Sequence, residues 1–153
     1  MATANTTANK KEDKFKDLIG PKDMKLDGKV REKLITARVG LLLRASFFGN
    51  LATRLKLVNA DEWCPTAATD GRRFYYNSEF VNNLPLKQLE FLVGHEVLHA
   101  VYDHMGRRGS RKPKMWNAAA DYVINYELHE HNIGKLPDPK TSGVQACFDS
   151  KYK

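Results

Sequence analysis

Three residues of this chain could do chemistry together: His95, Glu96 and His99, which stand as His-Glu-Val-Leu-His inside the run LEFLVGHEVLHAVYDH. That run is strongly apolar, lacks proline and holds a single glycine, so it predicts a helix. At about 100° per residue, His95 and His99 leave the helix roughly 40° apart, and both imidazoles can meet one metal ion. Glu96 stands about 100° round from His95, badly placed for a third ligand but able to touch a water on that ion. The chemistry this pattern points to is metal-assisted hydrolysis. Two imidazoles grip Zn²⁺, and the carboxylate takes a proton from the water beside it.

The plainer alternative is a polar stripe on a core helix. Flanking Leu, Val and Phe residues would bury these groups, and burying them without partners costs several kcal/mol. A metal satisfies both imidazoles and gives Glu96 a role, so the metal reading is preferred.

Catalytic zinc sites usually have three protein ligands and one open position. Two residues are candidates for the third ligand. His104 lies five residues past His99, one short of the metzincin spacing and without that motif's glycine; on a continuing helix it would point about 140° away. Asp121 lies 22 residues past His99 on a second apolar helix, beyond a Gly-bearing connection that permits an antiparallel return, as in thermolysin-like zincins. Asp121 is the preferred ligand. Asn117 and Asn125 flank it at four-residue spacing and could hold its carboxylate or a nearby loop. His129 and His131, at the far end of that helix, are expected to be exposed or capping. Tyr102, Tyr122, Tyr126, Arg72 and Arg73 are candidates to stabilise an oxyanion, with nothing in the sequence to choose among them.

The elements that must position these residues can be read in outline. Residues 1–20 are rich in Thr, Asn, Ala and Lys and are expected to form a disordered basic arm. From Asp27, a plausible N-cap, helical periodicity through Val30, Leu34, Val39 and Leu41 to Leu43 predicts a long helix with Arg31, Lys33, Arg38 and Arg44 outside. Gly49-Asn50 marks its break. Leu55 to Val58 and Arg72 to Tyr76 are β-prone, and Asp70-Gly71 signals a hairpin with Phe74 and Tyr76 on one face and Arg73 and Tyr75 on the other. The RRFYY segment is the candidate edge strand for pairing with extended substrate. SEFVNNL is a short helix, Pro85 opens the motif helix, GRRGSRKPK ends it, and Pro113 opens the second. Residues 27–153 read as one α+β domain, a small zincin-like unit of helices on a short sheet.

A length of 153 residues suits one domain with a real core. With 42% hydrophobic and 28% charged residues, no apolar run near 20 residues and no signal-like N-terminus, membrane-spanning classes are excluded and a cytoplasmic location is expected. Cys64 and Cys147 have no metal-like spacing and are expected to be free thiols. A net charge of +7 gathers at Lys10 to Lys29 and at Arg107, Arg108, Arg111, Lys112 and Lys114. A solvated face explains these patches best, although they allow contact with nucleic acid or another polyanion.

TDGRRFYYNSEFV, LEFLVGHEVLHAVYDHMGRRG and WNAAADYVIN, in that order and spacing, resemble the metallopeptidase domain of bacterial and phage proteins, often found ahead of a von Willebrand A-like domain. No such domain follows within these 153 residues. The resemblance implies a zincin-like fold and zinc-dependent hydrolysis of a protein or peptide substrate. It carries His95 and His99 over as ligands, Glu96 as the catalytic residue, and Asp121 less securely. The competing expectation is a non-catalytic module, stabilised by its metal, that docks nucleic acid or a protein through the basic patches; a peptidase dependent on nucleic acid would combine the two. The intact Glu96 favours catalysis, because a purely structural site has no use for a base.

Overall fold

The computed structural model describes residues 21–142, with the backbone alone at residues 104, 105, 141 and 142. The expected N-terminal arm and Cys147 lie outside the described residues.

The chain begins with helix α1 (Met24–Arg44). Its N-cap is Asp23, whose carboxylate accepts from the N–H groups of Lys25 and Leu26, rather than Asp27. Asp27 sits one turn inside and is buried. There it accepts from the Tyr76 hydroxyl at 2.5 Å and the Asn59 amide at 2.9 Å, and pairs with Arg31 at 3.0 Å. This network ties the helix start to the sheet. Burial alone would raise the Asp27 pKa, but these donors outweigh it and hold the carboxyl below its ordinary value.

Val30, Leu34, Ala37 and Leu41 form the buried stripe of α1, whereas Val39, Leu42 and Leu43 are exposed, contrary to the periodic reading. Two of its expected outer cations point inward in part. Lys33 donates to the carbonyls of Val81, Asn82 and Leu84, and Arg38 to that of Leu55, so both serve carbonyls at the C-terminal ends of neighbouring helices. The break falls at Ala45, not at Gly49-Asn50. Gly49 lies within helix α2 (Ser46–Arg54), and a Cβ there would stand 2.3 Å from the Leu42 Cα. The glycine is required by the close corner between the two helices, not by a turn.

Strands β1 (Lys56–Asn59), β2 (Ala67–Thr69) and β3 (Arg73–Tyr76) form a sheet in the order β1-β3-β2. The β2–β3 hairpin turns at Asp70-Gly71 as expected, and β1 runs parallel to β3. Phe74 and Tyr76 face the core, and Arg73 and Tyr75 the outside. Helix α3 (Ser78–Asn83) follows, capped by the Asn77 side chain. Next comes helix α4 (Leu86–Tyr102), with Pro85 at its N-cap.

Helix α4 ends where Asp103 adopts φ +48°, and a short α5 (His104–Arg107) leads into the basic connection. Helix α6 (Pro113–Glu130) returns across α4, and α7 (Pro139–Ser142) is a single turn. The result is α+β, with helices packed on a small sheet around α4. Its Leu89, Phe91, Val93, Val97 and Leu98 join the α1 stripe, Phe74, Tyr76, Ile124 and Leu128 in one core. Among the described residues no helix is long and apolar enough to cross a membrane.

Candidate metal centre

His95 and His99 leave successive turns of α4 with ring centroids 4.6 Å apart and planes at 74°. Helix α6 packs closely on α4 beside Gly94, where a Cβ would lie 3.0 Å from the Leu128 side chain and 3.3 Å from that of Ile133. That approach puts Asp121 opposite the two rings. Its Oδ1 is 2.9 Å from His99 Nε2 and 3.2 Å from His95 Nε2, and the two Nε2 atoms are 2.9 Å apart.

The other nitrogen of His95 settles how that ring is held. Its Nδ1–H donates to the Asn125 Oδ1 at 2.6 Å, which turns Nε2 towards His99 and Asp121. Two imidazole nitrogens and a carboxylate oxygen therefore converge on one point. Donors around a tetrahedral ion at about 2.0–2.1 Å stand about 3.3 Å from one another. The observed separations fall a few tenths short of that, so these residues fit a metal ion with little movement. Among the described residues, His95, His99 and Asp121 are the group able to hold one. The His104 side chain lies outside the described residues; its backbone begins a new helical turn after the left-handed Asp103.

Charge follows geometry. Burial works to raise the Asp121 pKa, but hydrogen bonds from His95 and His99 prevail and hold it far below the usual carboxylate range. Burial presses His95 towards the neutral form, but Asp121 and Glu96 more than offset this. Glu96 is 6% exposed, and its burial raises the carboxyl pKa despite the two nearby imidazoles. A carboxyl with a raised pKa beside a candidate metal centre suits proton transfer in both directions.

The three residues open into a cleft of about 540 Å³, walled by β2, α4, the connection after α5, and the start of α6. Asn117 is exposed at its rim and Asn125 is buried beneath it, so the two asparagines of the stripe have different roles. His129 is exposed, and His131 caps α6 with its ring against Phe48 at 6.4 Å.

None of the five proposed oxyanion donors lines the cleft. Tyr102 is spent on Glu127, which lifts its pKa to about 12, and Arg73 is paired with Asp70. RRFYY is not the edge either: β3 is central, with a strand on each side. The edge is β2. Asn77 N–H bonds the Thr66 carbonyl, so in this register Ala67 and Thr69 turn their N–H and C=O groups away from β3. The hairpin was expected, but the edge was assigned to its second strand because nothing local shows that β1 closes the other side of β3. Sequence reasoning also did not place Arg108 and Trp116 in a cleft, because which side of the connection faces the site is set by packing.

No curated protein and no solved structure matches this chain. A family described as "Putative metallopeptidase domain" matches residues 29–152, from the first helix through the whole candidate centre. The chain belongs to that family.

Proposed function

We propose that this protein is a zinc-dependent peptidase in which His95, His99 and Asp121 hold the metal and Glu96 is the general base. The observation that carries the reading is the convergence of the three ligand atoms beside a buried, proton-ready Glu96 in an open cleft. Zn²⁺ bound there supplies a Lewis acid that polarises the scissile carbonyl and makes water acidic enough to attack near neutral pH.

The protein's own residues do the rest. An extended substrate adds to the free edge of β2, with Ala67 and Thr69 offering backbone donors and acceptors that set its register. Glu96 takes the proton of the attacking water and delivers it to the departing amine as the C–N bond breaks. Asn125 holds the His95 ring through Nδ1, and Asp121 neutralises charge between the imidazoles. Phe91, Leu92 and Phe80 line the floor and limit water.

The test is hydrolysis of casein and of a quenched peptide library by the zinc-loaded chain and by Glu96→Gln. Loss of a general base is expected to slow hydrolysis by about 10²–10⁴-fold while the metal content and the melting temperature stay close to wild type. Equal cleavage by Glu96→Gln would remove the mechanism. A protein that binds zinc but cuts nothing would point instead to a structural metal.

A further inference from the structure

The basic connection after α5 has one member unlike the rest. Arg107, Arg111, Lys112 and Lys114 are exposed, whereas Arg108 is half-buried and lines the same cleft as His95, Glu96, His99 and Asp121. Its neighbours are occupied: Arg107 donates to the Tyr102 carbonyl, and Arg111 donates to the carbonyls of residues 107 and 108 while stacking 4.8 Å over the Trp116 ring. The Arg108 guanidinium has no hydrogen bond or ion pair to any described residue.

Nearby carboxylates do not claim it. Asp70 is engaged by the N–H groups of Arg72 and Arg73, the Arg73 side chain and the Tyr75 hydroxyl, which bring its pKa down to about 2. Asp103 turns its Oδ1 to the Gly106 N–H, and Asp121 serves the two imidazoles. With no acceptor among the described residues, a guanidinium on a residue that lines the cleft is open to an anion bound there. Its planar fork is matched by a carboxylate held through two hydrogen bonds.

We propose that Arg108 selects the substrate by binding a carboxylate, so that the preferred peptides carry an acidic side chain or a free C-terminus within reach of the scissile bond. This rests on the peptidase reading of the same cleft. Trp116, pinned under Arg111, gives that end a flat wall against which the bound residue can lie.

Binding is measured apart from cleavage, using the full zinc-loaded chain carrying Glu96→Gln. The probes are octapeptides in an Ala/Ser background with one Glu walked through the positions, their Gln twins, and each peptide with a free or amidated C-terminus. The best Glu or free-acid peptide is expected to bind roughly ten- to a hundred-fold more tightly than its neutral twin. The preference should vanish with Arg108→Gln, return only in part with Arg108→Lys, and survive Arg107→Gln, which removes an equal charge outside the cleft. Dependence on the Glu position identifies a side chain as the source, and dependence on amidation identifies the C-terminus. Melting curves confirm that each variant is folded. Absence of carboxylate-dependent binding, a preference that survives Arg108→Gln, or equal loss with Arg107→Gln overturns the proposal. If the preference holds but the wild-type chain never cleaves, the peptidase reading fails alone; if it cleaves neutral and acidic peptides alike, charge selection fails alone.

Discussion

Replacing Asn125 tests whether the metal centre is built as described, because this residue touches a ligand and not the ligand point itself. Asn125 is 3% exposed and accepts the His95 Nδ1–H at 2.6 Å. Leaving such a donor without an acceptor costs about 1–3 kcal/mol, which at about 1.4 kcal/mol per factor of ten is roughly a five- to hundred-fold loss of metal affinity. Loss of a partner to a ligating imidazole ordinarily costs about 10–100-fold, the same range. Two substitutions separate the causes. Asn125→Ala leaves room for a water to replace the lost acceptor and should fall at the low end. Asn125→Leu fills the space with carbon and should fall at the high end. Asn125→Asp, with an oxygen retained, should bind at least as tightly as wild type. Asn117→Ala, one turn before Asp121 but exposed at the rim, should change affinity by less than about twofold. The assay is competition for Zn²⁺ between purified apo-protein and a chromophoric chelator, with circular dichroism to confirm the fold. A folded Asn125→Leu protein with wild-type affinity would refute the assigned tautomer and with it the orientation of His95.

Two further predictions concern the frame around the site. Asp27 has a folded-state pKa below the ordinary 3.8, so its contribution to stability is complete above that value and is lost as pH falls through the lower folded pKa; the gap in melting temperature between wild type and Asp27→Asn should therefore be widest near neutrality and close on acidification, and a gap independent of pH would contradict it. Gly49→Ala should destabilise by about 1–3 kcal/mol in urea unfolding, because its methyl would meet the Leu42 backbone rather than a side chain free to move; an unchanged midpoint would mean that the α1–α2 corner is looser than described.

What could be read from the sequence divides by how local its cause is. The β2–β3 hairpin was legible because Asp70-Gly71 sets the turn by its own backbone preferences, with Gly71 at φ +93°. The two imidazoles were legible because one helical turn separates them whatever surrounds the helix. The N-cap of α1 was misplaced by one turn because Asp23 and Asp27 are alike in the chain, and the distinction lies in Tyr76 and Asn59, far away in sequence. Val39, Leu42 and Leu43 have the right character for a core. Which side of α1 is covered, though, is decided by where α2, α3 and α4 arrive.

The site shows the same division more sharply. Asp121 could be nominated because a ligand was missing and a polar stripe on a second helix had no partner, but its arrival within 3.2 Å of both rings is set by how closely α6 packs on α4, where Gly94 leaves room for Leu128. The groups proposed to choose a substrate were the least visible. The β2 edge exists only because β3 takes the centre of the sheet, and Arg108 differs from Arg107 only by which side of a loop it occupies. The pair of imidazoles and the proposed base are therefore written in spacing along one helix, whereas the third ligand and the proposed selectivity are set by non-local packing. Substitutions at Arg108 or along β2 should accordingly redirect which peptides bind while leaving the metal affinity of His95, His99 and Asp121 unchanged.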